Sequence, residues 1–336
     1  ESLFEMRELS VMGLAEVLPR IPKFINLIAK TVQAIRVFDP DVVVTIDAPD
    51  FSFRVQKKIK AAGVRAKKIH YVAPTVWAWR AGRAAKVAQF LDGMICLFPF
   101  EPHYFEREGL SAVAVGHPMV DSGLLAGDGA AFRARHGISA ERKVLGIFCG
   151  SRTAEVRGLS PLMIDVAKNL KQAYPDLLCV VPTLPIWKEE LEQFFKGAGL
   201  DAVVTADAAE KWDAFKAPDV ALAVSGTVAL EIALAGVPHA IIYKMSGLTW
   251  EIVKRLVKSK FAHLGNILLG HQVYPEFIQD SATAEMIAPV VRNLLSSEVE
   301  RNVQKEASKR VLMLLQPNPN ERPADRAADF ILSLLS

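Results

Sequence analysis

Two aspartates directly follow a short apolar run, and either could supply the carboxylate of a general base. The run Val42–Ile46 reads VVVTI, and Asp47 and Asp50 come at once after it, separated by Ala48 and Pro49. Near-continuous apolar runs are typical of parallel strands, and ligands bind beyond the carboxyl ends of such strands. We therefore expect the Asp47 carboxylate to face a cleft, where an acid of this kind could act as a general base. Asp50 precedes the helical sequence FSFRVQKKIK and is predicted to be its N-cap.

The sequence GSRTAEV begins after another apolar run and has the features of a phosphate site. Gly150 permits a tight backbone turn, and Ser151 is predicted to cap the following helix. Arg152 offers a planar fork of five donors that suits a phosphate group. Glu155 stands at the fourth place of a capping pattern that begins near Ser151 or Arg152. The alternative is an ordinary helix start with an arginine that faces solvent.

The sequence SGTVALEIALAGVP combines a second helix start with an acid inside the helix. Ser225, Gly226 and Thr227 would present three backbone N–H groups at the helix N-terminus, which is a ready anion site. Glu231 lies among apolar neighbours, and a carboxylate buried without a partner costs several kcal/mol. We expect Glu231 to meet a cation or the hydroxyls of a ribose. The alternative is a solvent-exposed helix glutamate.

The loop YVAPTVWAWRAGR places two tryptophans among arginines after a further strand-like run. Trp77 and Trp79 could stack on a sugar and Arg80 could bind a phosphate, but both rings would serve equally well as caps of a hydrophobic core. His117 in GHPMVD follows another run, where a histidine is either a substrate ligand or a hydrogen-bonded structural group. These four residues, Trp77, Trp79, Arg80 and His117, are a further candidate binding site, called the acceptor site below.

Several common cofactor motifs are absent from the sequence. It contains no GxGxxG, no GxxxxGK[ST], no HExxH and no paired CxxC, so dinucleotide, P-loop and zinc sites are not predicted. The acidic segment Asp39–Pro40–Asp41 precedes its strand, where a helix-to-strand turn is expected rather than a metal site. Cys149 and Cys179 lie in apolar runs and are predicted to be small core residues. We expect no metal and no cofactor.

Two stretches are apolar on one face and basic elsewhere, as helices on membrane surfaces are. The first, from Met12 to Ile35, is broken by Pro19 and Pro22, and the second is Leu248–Phe261. The alternative for each is a helix whose apolar face packs on the core. The predicted membrane contacts in the first stretch are Leu14, Val17, Leu18, Ile21, Phe24 and Ile25.

The order of apolar runs predicts the elements that must hold these residues. Strand-like runs alternate with helical segments, which predicts an α/β protein with parallel sheets covered on both faces. The segment Asp121–Arg142, rich in Gly, Ala, Ser and charge, is the predicted linker between two such units. We expect a first domain at residues 1–140 and a second at 141–315. A C-terminal helix at 316–336 is expected to pack on the first domain or on a partner subunit.

Composition sets limits on the class of protein. The 336 residues are long enough for two ordinary domains, and a content of 51% hydrophobic and 23% charged residues excludes long disorder. The net charge of +3 is too balanced for a nucleic-acid-binding protein. No apolar run is long enough to span a membrane. Three widely spaced cysteines indicate a reducing compartment such as the cytoplasm.

The chain contains, in this order, the motifs IDAPDF, YVAPTVWAWR, FPFE, GHPMVD, GSRTAEV, SGTVALE and LGNILLG. These seven motifs resemble those of the lipid-A-disaccharide synthases, and the resemblance covers nearly the whole chain. It implies a GT-B-type fold of two facing Rossmann-like domains and a metal-independent, inverting glycosyltransferase. Such an enzyme joins UDP-2,3-diacylglucosamine to 2,3-diacylglucosamine 1-phosphate (lipid X), forms a β-1,6-linked disaccharide 1-phosphate and releases UDP.

The resemblance also implies roles for single residues. Asp47 corresponds to the acid that acts as base, and Arg152, Glu231 and Asn266 fall on nucleotide-site motifs. It further implies a peripheral protein on the cytoplasmic face of the Gram-negative inner membrane, and a homodimer with exchanged C-terminal segments. The predicted nucleotide-sugar site comprises Gly150, Ser151, Ser225, Gly226, Thr227, Glu231 and Asn266, and Arg152 is assigned with Asp47 to catalysis.

One part of the family pattern is not found, and two other interpretations stay open. The family begins with a strand and a Gly-rich GExSGD loop, whereas this sequence opens with ESLFEMREL, so the first domain is expected to lack its opening strands. The peptidoglycan N-acetylglucosaminyltransferase and the UDP-sugar 2-epimerases share the SGT…E motif, although IDAPDF and WAWR favour the synthase. The remaining interpretation is a sugar-nucleotide-binding protein at the membrane surface without catalytic activity.

Overall fold

The chain folds into two compact units. The first lies within Glu1–Pro118 and Asn318–Ser336, and the second lies within Met119–Pro317. The division therefore falls earlier than the predicted boundary after residue 140. The residues that the computed structural model describes are 2–5, 21–316 and 318–335, with the backbone alone for Ile21, Leu248 and Ile252.

A four-stranded parallel sheet forms the first unit. Its elements, in chain order, are α1 (Ile21–Phe38), β1 (Val42–Ile46), α2 (Pro49–Ala61), β2 (Lys67–Tyr71), α3 (Arg83–Ala88), β3 (Gly93–Cys96), α4 (Pro102–Glu106) and β4 (Ser111–Ala114). The strands are ordered β1–β2–β3–β4, with Val44 opposite Ile69 and Ile95 opposite Val113. Ile69, Met94 and Ile95 are fully buried, because side chains cover both faces of the sheet.

The helix after β1 begins earlier than the sequence predicted. The N-cap of α2 is Ala48, in a left-handed conformation with φ of 44°, and Pro49 is the first helical residue. Proline is favoured at that position because its φ is already helical and its missing N–H needs no acceptor. Asp50 therefore lies inside the first turn, and its prediction as the N-cap was wrong. Its carboxylate contacts Arg83 Nη2 at 3.2 Å instead.

A six-stranded parallel sheet forms the second unit, so the predicted α/β class with two parallel sheets is confirmed. Its elements are α5 (Gly129–Arg135), β5 (Val144–Phe148), α6 (Thr153–Ala173), β6 (Leu178–Pro182), α7 (Lys188–Gly197), β7 (Asp201–Thr205), α8 (Lys211–Lys216), β8 (Val220–Val224), α9 (Thr227–Leu234), β9 (His239–Tyr243), α10 (Gly247–Leu256), α11 (Leu264–Leu269), β10 (Glu276–Ile278), α12 (Ala284–Ser296) and α13 (Glu298–Leu315). The strand order is β10–β9–β8–β5–β6–β7. The sequence did not predict β10, which is only three residues long.

The predicted linker is a packed part of the second unit. Within it Phe132 of α5 is fully buried, and Arg133 forms an ion pair with Asp219 at 3.1 Å. Gly129 lies so close to the carbonyl group of Lys216 that a Cβ atom would not fit between them. The small residues that indicated a linker therefore serve close packing between α5 and the segment after α8.

The last helix, α14 (Pro323–Ser333), packs on the sheet of the first unit. Its Ala327 is buried in a cluster with Ile95, and Leu334 just beyond it packs against the same cluster. A Cβ atom on Gly93 would lie 2.6 Å from Leu334 Cδ1, which is shorter than any ordinary carbon contact. Glycine at the start of β3 thus leaves room for the C-terminal helix.

Two local predictions are confirmed, one for the cysteines and one for the acidic segment before β1. Cys149 and Cys179 are free and buried, as predicted. Asp39 and Asp41 lie between α1 and β1, which confirms the turn interpretation of that acidic segment.

Within the described ranges, no group of His, Cys, Asp and Glu side chains is arranged to hold a metal ion. No helix in those ranges is both long and apolar enough to cross a membrane.

Candidate active site

Four non-glycine residues after β1 and β2 hold left-handed backbone conformations. They are Asp47 and Ala48, with φ of 49° and 44°, and Val72 and Arg80, with φ of 76° and 52°. Such conformations cost about 1–3 kcal/mol each, and they cluster at functional sites where surrounding structure maintains them. Val72 is the most costly of the four, because a β-branched side chain is crowded in this region. The strain marks the carboxyl ends of the first sheet as a candidate site.

Asp47 presents a free carboxylate at the end of β1. The residue is exposed, and its side chain has no hydrogen bond or ion pair with any residue that the structure describes. Its backbone is held firmly, because its N–H donates to Tyr71 O at 2.9 Å and its carbonyl accepts from the Ser52 hydroxyl at 2.7 Å. Ser52 is itself buried in the first turn of α2. A fixed backbone with an accessible carboxylate is what a general base requires.

A buried polar cluster supports the end of β1 from beneath. Gln56 Nε2 donates to Thr45 Oγ1 at 3.1 Å and to the carbonyls of Val43 and Ile69 at 3.2 and 3.0 Å. Thr45 Oγ1 lies 2.9 Å from His70 Nδ1. Burial lowers the pKa of His70 to about 4, so its ring is neutral near pH 7. The cluster ties α2 to β1 and β2 directly below Asp47.

Two of the four predicted acceptor residues are brought together by an aromatic row in the first unit. Trp77 meets Phe100 edge-on at 5.4 Å, Phe100 stacks on Phe98 at 5.8 Å, and Phe98 stacks on His117 at 6.0 Å. Burial lowers the pKa of His117 to about 4, which keeps its imidazole neutral. Trp77 and His117 are half-buried and Phe98 is buried. The row is an apolar surface that ends in an indole ring, Trp77, and an imidazole ring, His117.

The other two predicted acceptor residues contact each other. The Arg80 guanidinium lies 4.2 Å from the centroid of the Trp79 ring, and Trp79 Nε1 donates to Thr75 Oγ1 at 3.1 Å. Arg80 is exposed and Trp79 is half-buried. The stacked pair therefore leaves the guanidinium accessible to an anionic group.

Glu101 is a residue of this region that the residue-by-residue prediction did not select. It is only 2% exposed and accepts hydrogen bonds from Trp77 Nε1 and from the N–H groups of Leu97 and Phe98. Burial raises the pKa of its carboxyl group to about 7, although all three hydrogen bonds act in the opposite direction. The available signal was an acid directly after the apolar run LFPF, where a charged side chain needs partners.

The Gly150–Arg152 segment follows β5 and heads α6. Arg152 is the N-cap of α6, whereas Ser151 had been predicted to be. Glu155 accepts from the backbone N–H groups of Ser151 and Arg152 at 3.3 and 3.4 Å, and also pairs with Arg152 Nη1 at 2.7 Å. The predicted capping pattern that includes Glu155 is therefore confirmed. The side chain of Arg152 is 60% exposed, so its other donors remain accessible.

The segment Ser225–Thr227, called the SGT segment here, lies at the start of α9. It has fewer free backbone N–H donors than predicted. The N–H of Ser225 donates to Ile242 O at 2.9 Å as part of the sheet, so it is not available to a ligand. The Ser225 hydroxyl donates to Ala262 O at 3.1 Å. Gly226 has φ of 148° and is the N-cap, and Thr227 is the first helical residue. The helix N-terminus still directs the N–H groups of its first turn outward, as an anion site requires.

Glu231 is half-buried in α9 and meets a cation, as expected. Its Oε1 lies 3.4 Å from Lys211 Nζ, and that ammonium group lies 3.8 Å from the centroid of the Trp212 ring. Burial raises the pKa of Glu231, and nearby Lys211 opposes this shift. The alternative of a solvent-exposed glutamate is therefore wrong, since only 18% of the side chain is exposed.

Asn266 in α11 is fully buried, and its own loop uses all of its polar atoms. Its Nδ2 donates to Tyr274 O and to Glu276 Oε1, both at 2.8 Å. Its Oδ1 accepts from the N–H groups of Val273 and Tyr274 at 2.8 and 3.0 Å. An amide has two donors and one acceptor oxygen, so no capacity is left for a nucleotide. The side chain fixes the segment 264–276 and is not free for the direct contact that was predicted.

A neutral histidine pair lies beside this loop. Gly265 N–H donates to His263 Nδ1 at 2.8 Å, so the ring proton of His263 is on Nε2, 2.6 Å from His239 Nε2. His239 Nε2 is then the acceptor, and its Nδ1–H donates to Val237 O at 2.8 Å. Burial lowers the pKa of both histidines, which agrees with two neutral rings. These bonds connect the start of β9 to the start of α11.

The predicted membrane contacts are described only in part. Leu14, Val17 and Leu18 lie outside the described residues, and the side chain of Ile21 is not described. Phe24 is half-buried and Ile25 is 54% exposed on α1.

Solved glycosyltransferase and epimerase structures resemble this fold. MurG of Acinetobacter baumannii superposes with a TM-score of 0.57 at 14% identity, covering 96% of this chain and 80% of that one. A putative UDP-N-acetylglucosamine 2-epimerase from Listeria monocytogenes gives 0.56 at 13% identity, covering 92% and 82%. At these identities the likeness shows the fold alone, and it confirms the predicted GT-B type.

Sequence comparison is more specific. A family model described as lipid-A-disaccharide synthetase matches residues 1–330. The lipid-A-disaccharide synthase of Rhodospirillum centenum is 43% identical over 336 residues, which are 100% of this chain and 84% of that protein. The synthase of Paramagnetospirillum magneticum is 44% identical over 335 residues, which are 98% of this chain and 86% of that protein. The chain belongs to the lipid-A-disaccharide synthase family.

Proposed function

We propose that this protein joins UDP-2,3-diacylglucosamine to 2,3-diacylglucosamine 1-phosphate and forms a β-1,6-linked disaccharide 1-phosphate. The family match over residues 1–330 supports lipid A disaccharide synthesis as the reaction. The observation that carries the catalytic assignment is the exposed carboxylate of Asp47 at the carboxyl end of β1, which has no partner among the described residues.

Asp47 acts as the general base in this proposal. It takes the proton from the 6-hydroxyl of the acceptor while that oxygen attacks the anomeric carbon of the donor. The new C–O bond forms on the face opposite the departing UDP, so the configuration inverts and the linkage is β. A positioned base of this kind contributes about 10²–10⁴ in rate. The hydrogen bonds of its backbone with Tyr71 and Ser52 support the role, because they fix the backbone from which the carboxylate projects.

The second unit binds the UDP part of the donor in this proposal. Arg152 and the N-terminus of α9 offset the negative charge that grows on the leaving diphosphate. Glu231 accepts hydrogen bonds from the ribose hydroxyls, which would displace Lys211 from one carboxylate oxygen. The 3.4 Å separation from Lys211 and the half-buried position of Glu231 support this assignment. Asn266 contributes indirectly, since it fixes the loop next to the SGT segment.

The first unit binds the acylated acceptor in this proposal. Trp77 and His117 contact the sugar through the aromatic row, and Arg80 meets the 1-phosphate. We also propose that α1 contacts the cytoplasmic face of the inner membrane, with Ile25 as one exposed contact. Such a position gives access to substrates that carry acyl chains. The homodimer remains a prediction, which sedimentation in detergent would test.

The reaction is tested by mass analysis of products from UDP-2,3-diacylglucosamine, with and without 2,3-diacylglucosamine 1-phosphate. We expect disaccharide and UDP in equal amounts, and only when the acceptor is present. Release of UDP without a disaccharide would contradict the proposal.

The base is tested by Asp47→Asn, with Asp50→Asn as the matched control. The first variant should lose about 10²–10⁴ in turnover while its UDP affinity is unchanged. Asp50→Asn should keep turnover, because among the described residues the Asp50 carboxylate pairs with Arg83 alone, at an exposed position. Near wild-type turnover of Asp47→Asn would remove Asp47 from the chemistry.

A further inference from the structure

We propose that Glu101 is a positioning residue. It holds the indole ring of Trp77 in the orientation that binds the acceptor. The inference rests on the proposed function, because it assumes that the acceptor binds at the loop after β2. Neither residue touches the reacting atoms in this proposal, so Glu101 affects catalysis only through the aromatic row.

The hydrogen bonds of Glu101 reach two segments of the first unit, the end of β3 and the loop after β2. One carboxylate oxygen, Oε2, accepts from the N–H groups of Leu97 and Phe98, both at 3.0 Å. These two residues directly follow β3. The other oxygen, Oε1, accepts from Trp77 Nε1 at 3.1 Å. The carboxylate therefore links the end of the sheet to the loop after β2.

Trp77 is the first ring of the aromatic row, so its orientation affects the others. It meets Phe100 edge-on at an interplanar angle of 86°, and Phe100 stacks on Phe98. The loop that carries Trp77 contains two strained positions, Val72 and Arg80, and a strained loop needs external contacts to keep one conformation. The bond to Glu101 is such a contact.

Burial of this carboxylate is difficult to explain by stability alone. Glu101 is 2% exposed, and burial raises its pKa to about 7 against three hydrogen bonds that favour the charged form. Removing a carboxylate from water costs several kcal/mol, and the raised pKa of Glu101 indicates that its three hydrogen bonds offset this cost only in part. Groups with displaced pKa values beside a candidate site are commonly functional. The position of Glu101 between sheet and loop indicates what that function is.

The variant Glu101→Gln should remove the hydrogen bond from Trp77 and keep those from Leu97 and Phe98. A glutamine has one acceptor oxygen, and if that oxygen stays with Leu97 and Phe98, its NH₂ group faces Trp77 Nε1–H, donor against donor. We expect the KM for 2,3-diacylglucosamine 1-phosphate to rise about tenfold, the factor of one lost hydrogen bond. The KM for UDP-2,3-diacylglucosamine and the affinity for UDP should not change, because the second unit is untouched. Glu108→Gln, an exposed acid nearby, is the matched control and should behave as the wild type.

Trp77→Phe provides the second arm, because it keeps a ring against Phe100 and removes only the N–H group and part of the indole. The double variant with Glu101→Gln should bind the acceptor no more weakly than Trp77→Phe alone. Additive losses would overturn the proposal, since the two residues would then act independently. A fall in thermal stability of Glu101→Gln without a change in acceptor KM would also overturn it, because the role would be structural only.

The two proposals can fail separately. If the wild type makes no disaccharide, the proposed function is wrong. The role of the hydrogen bond between Trp77 and Glu101 can still be tested by binding alone. Tryptophan fluorescence would measure the affinity for 2,3-diacylglucosamine 1-phosphate of the wild type and of the Glu101 and Trp77 variants. Equal acceptor affinity in wild type and Glu101→Gln would then overturn the positioning role.

Discussion

Replacement of Asn266 by alanine tests whether this residue holds the fold or contacts the nucleotide. The side chain is fully buried and makes four hydrogen bonds of 2.8–3.0 Å within the segment 264–276. Each intramolecular hydrogen bond contributes about 1 kcal/mol net, and buried partners left unpaired add to the loss. We therefore expect Asn266→Ala to lower the free energy of unfolding of the second unit by about 4 kcal/mol. That is a large part of the 5–15 kcal/mol typical of folded domains.

The assay is urea unfolding followed by tryptophan fluorescence, since three of the five tryptophans, Trp187, Trp212 and Trp250, lie in the second unit. A loss of about 4 kcal/mol should move the midpoint of its transition down by roughly 1–2 M urea. Hydrogen exchange of the peptide 264–276 should rise at the same time, because its local anchor is gone.

Two further variants make the result specific. Asn302→Ala removes an exposed amide on α13 and should change the free energy of unfolding by less than about 0.5 kcal/mol. Asn266→Asp should be at least as damaging as alanine, because it brings a second carboxylate to the place where Nδ2 now lies, 2.8 Å from Glu276 Oε1. An Asn266→Ala protein with wild-type stability but greatly weakened UDP affinity would refute the reasoning and restore the direct nucleotide contact.

Two other predictions concern the first unit. Ser52→Ala removes the hydrogen bond to the carbonyl of strained Asp47, so turnover should fall roughly tenfold at unchanged KM. Ser52→Thr keeps a hydroxyl group and should largely restore turnover. Steady-state kinetics measure both variants, and an unchanged kcat of Ser52→Ala would contradict the prediction. Ile25→Ser combined with Phe24→Ser should reduce binding to vesicles of anionic phospholipid in a flotation assay, whereas Ile186→Ser, which alters a residue that is 75% exposed in the second unit, should not. Equal binding of both variants would assign α1 to another role.

Features that depend on local sequence were predicted well. The alternation of strand-like runs with helical segments is confirmed, and the predicted run Val42–Ile46 coincides with β1, because apolar β-branched residues favour strands. The position of Asp47 beyond β1 follows from the same signal, since the end of a strand is visible in the chain. The capping role of Glu155 was also predictable, because both partners lie within four residues.

Features that depend on distant partners were not predicted. Asn266 belongs to a recognisable motif, but its four hydrogen bonds come from residues seven to ten positions later in a loop without a regular pattern. The N–H of Ser225 was counted as a ligand donor, although the neighbouring strand uses it. The start of α2 at Pro49 moved the N-cap away from Asp50, since a fixed proline φ prevailed over a capping side chain.

The α/β class, the ends of the strands and the acid beyond β1 can be predicted from the amino-acid sequence, because hydrophobic periodicity and turn residues involve neighbouring positions. Which polar groups have hydrogen-bond partners depends on the tertiary structure. It buried Glu101 between Trp77 and the end of β3, and it left the carboxylate of Asp47 exposed. Burial and pairing are set by residues brought together from distant parts of the chain, and for that reason the sequence does not show that Glu101 is buried and hydrogen-bonded while Asp47 is exposed.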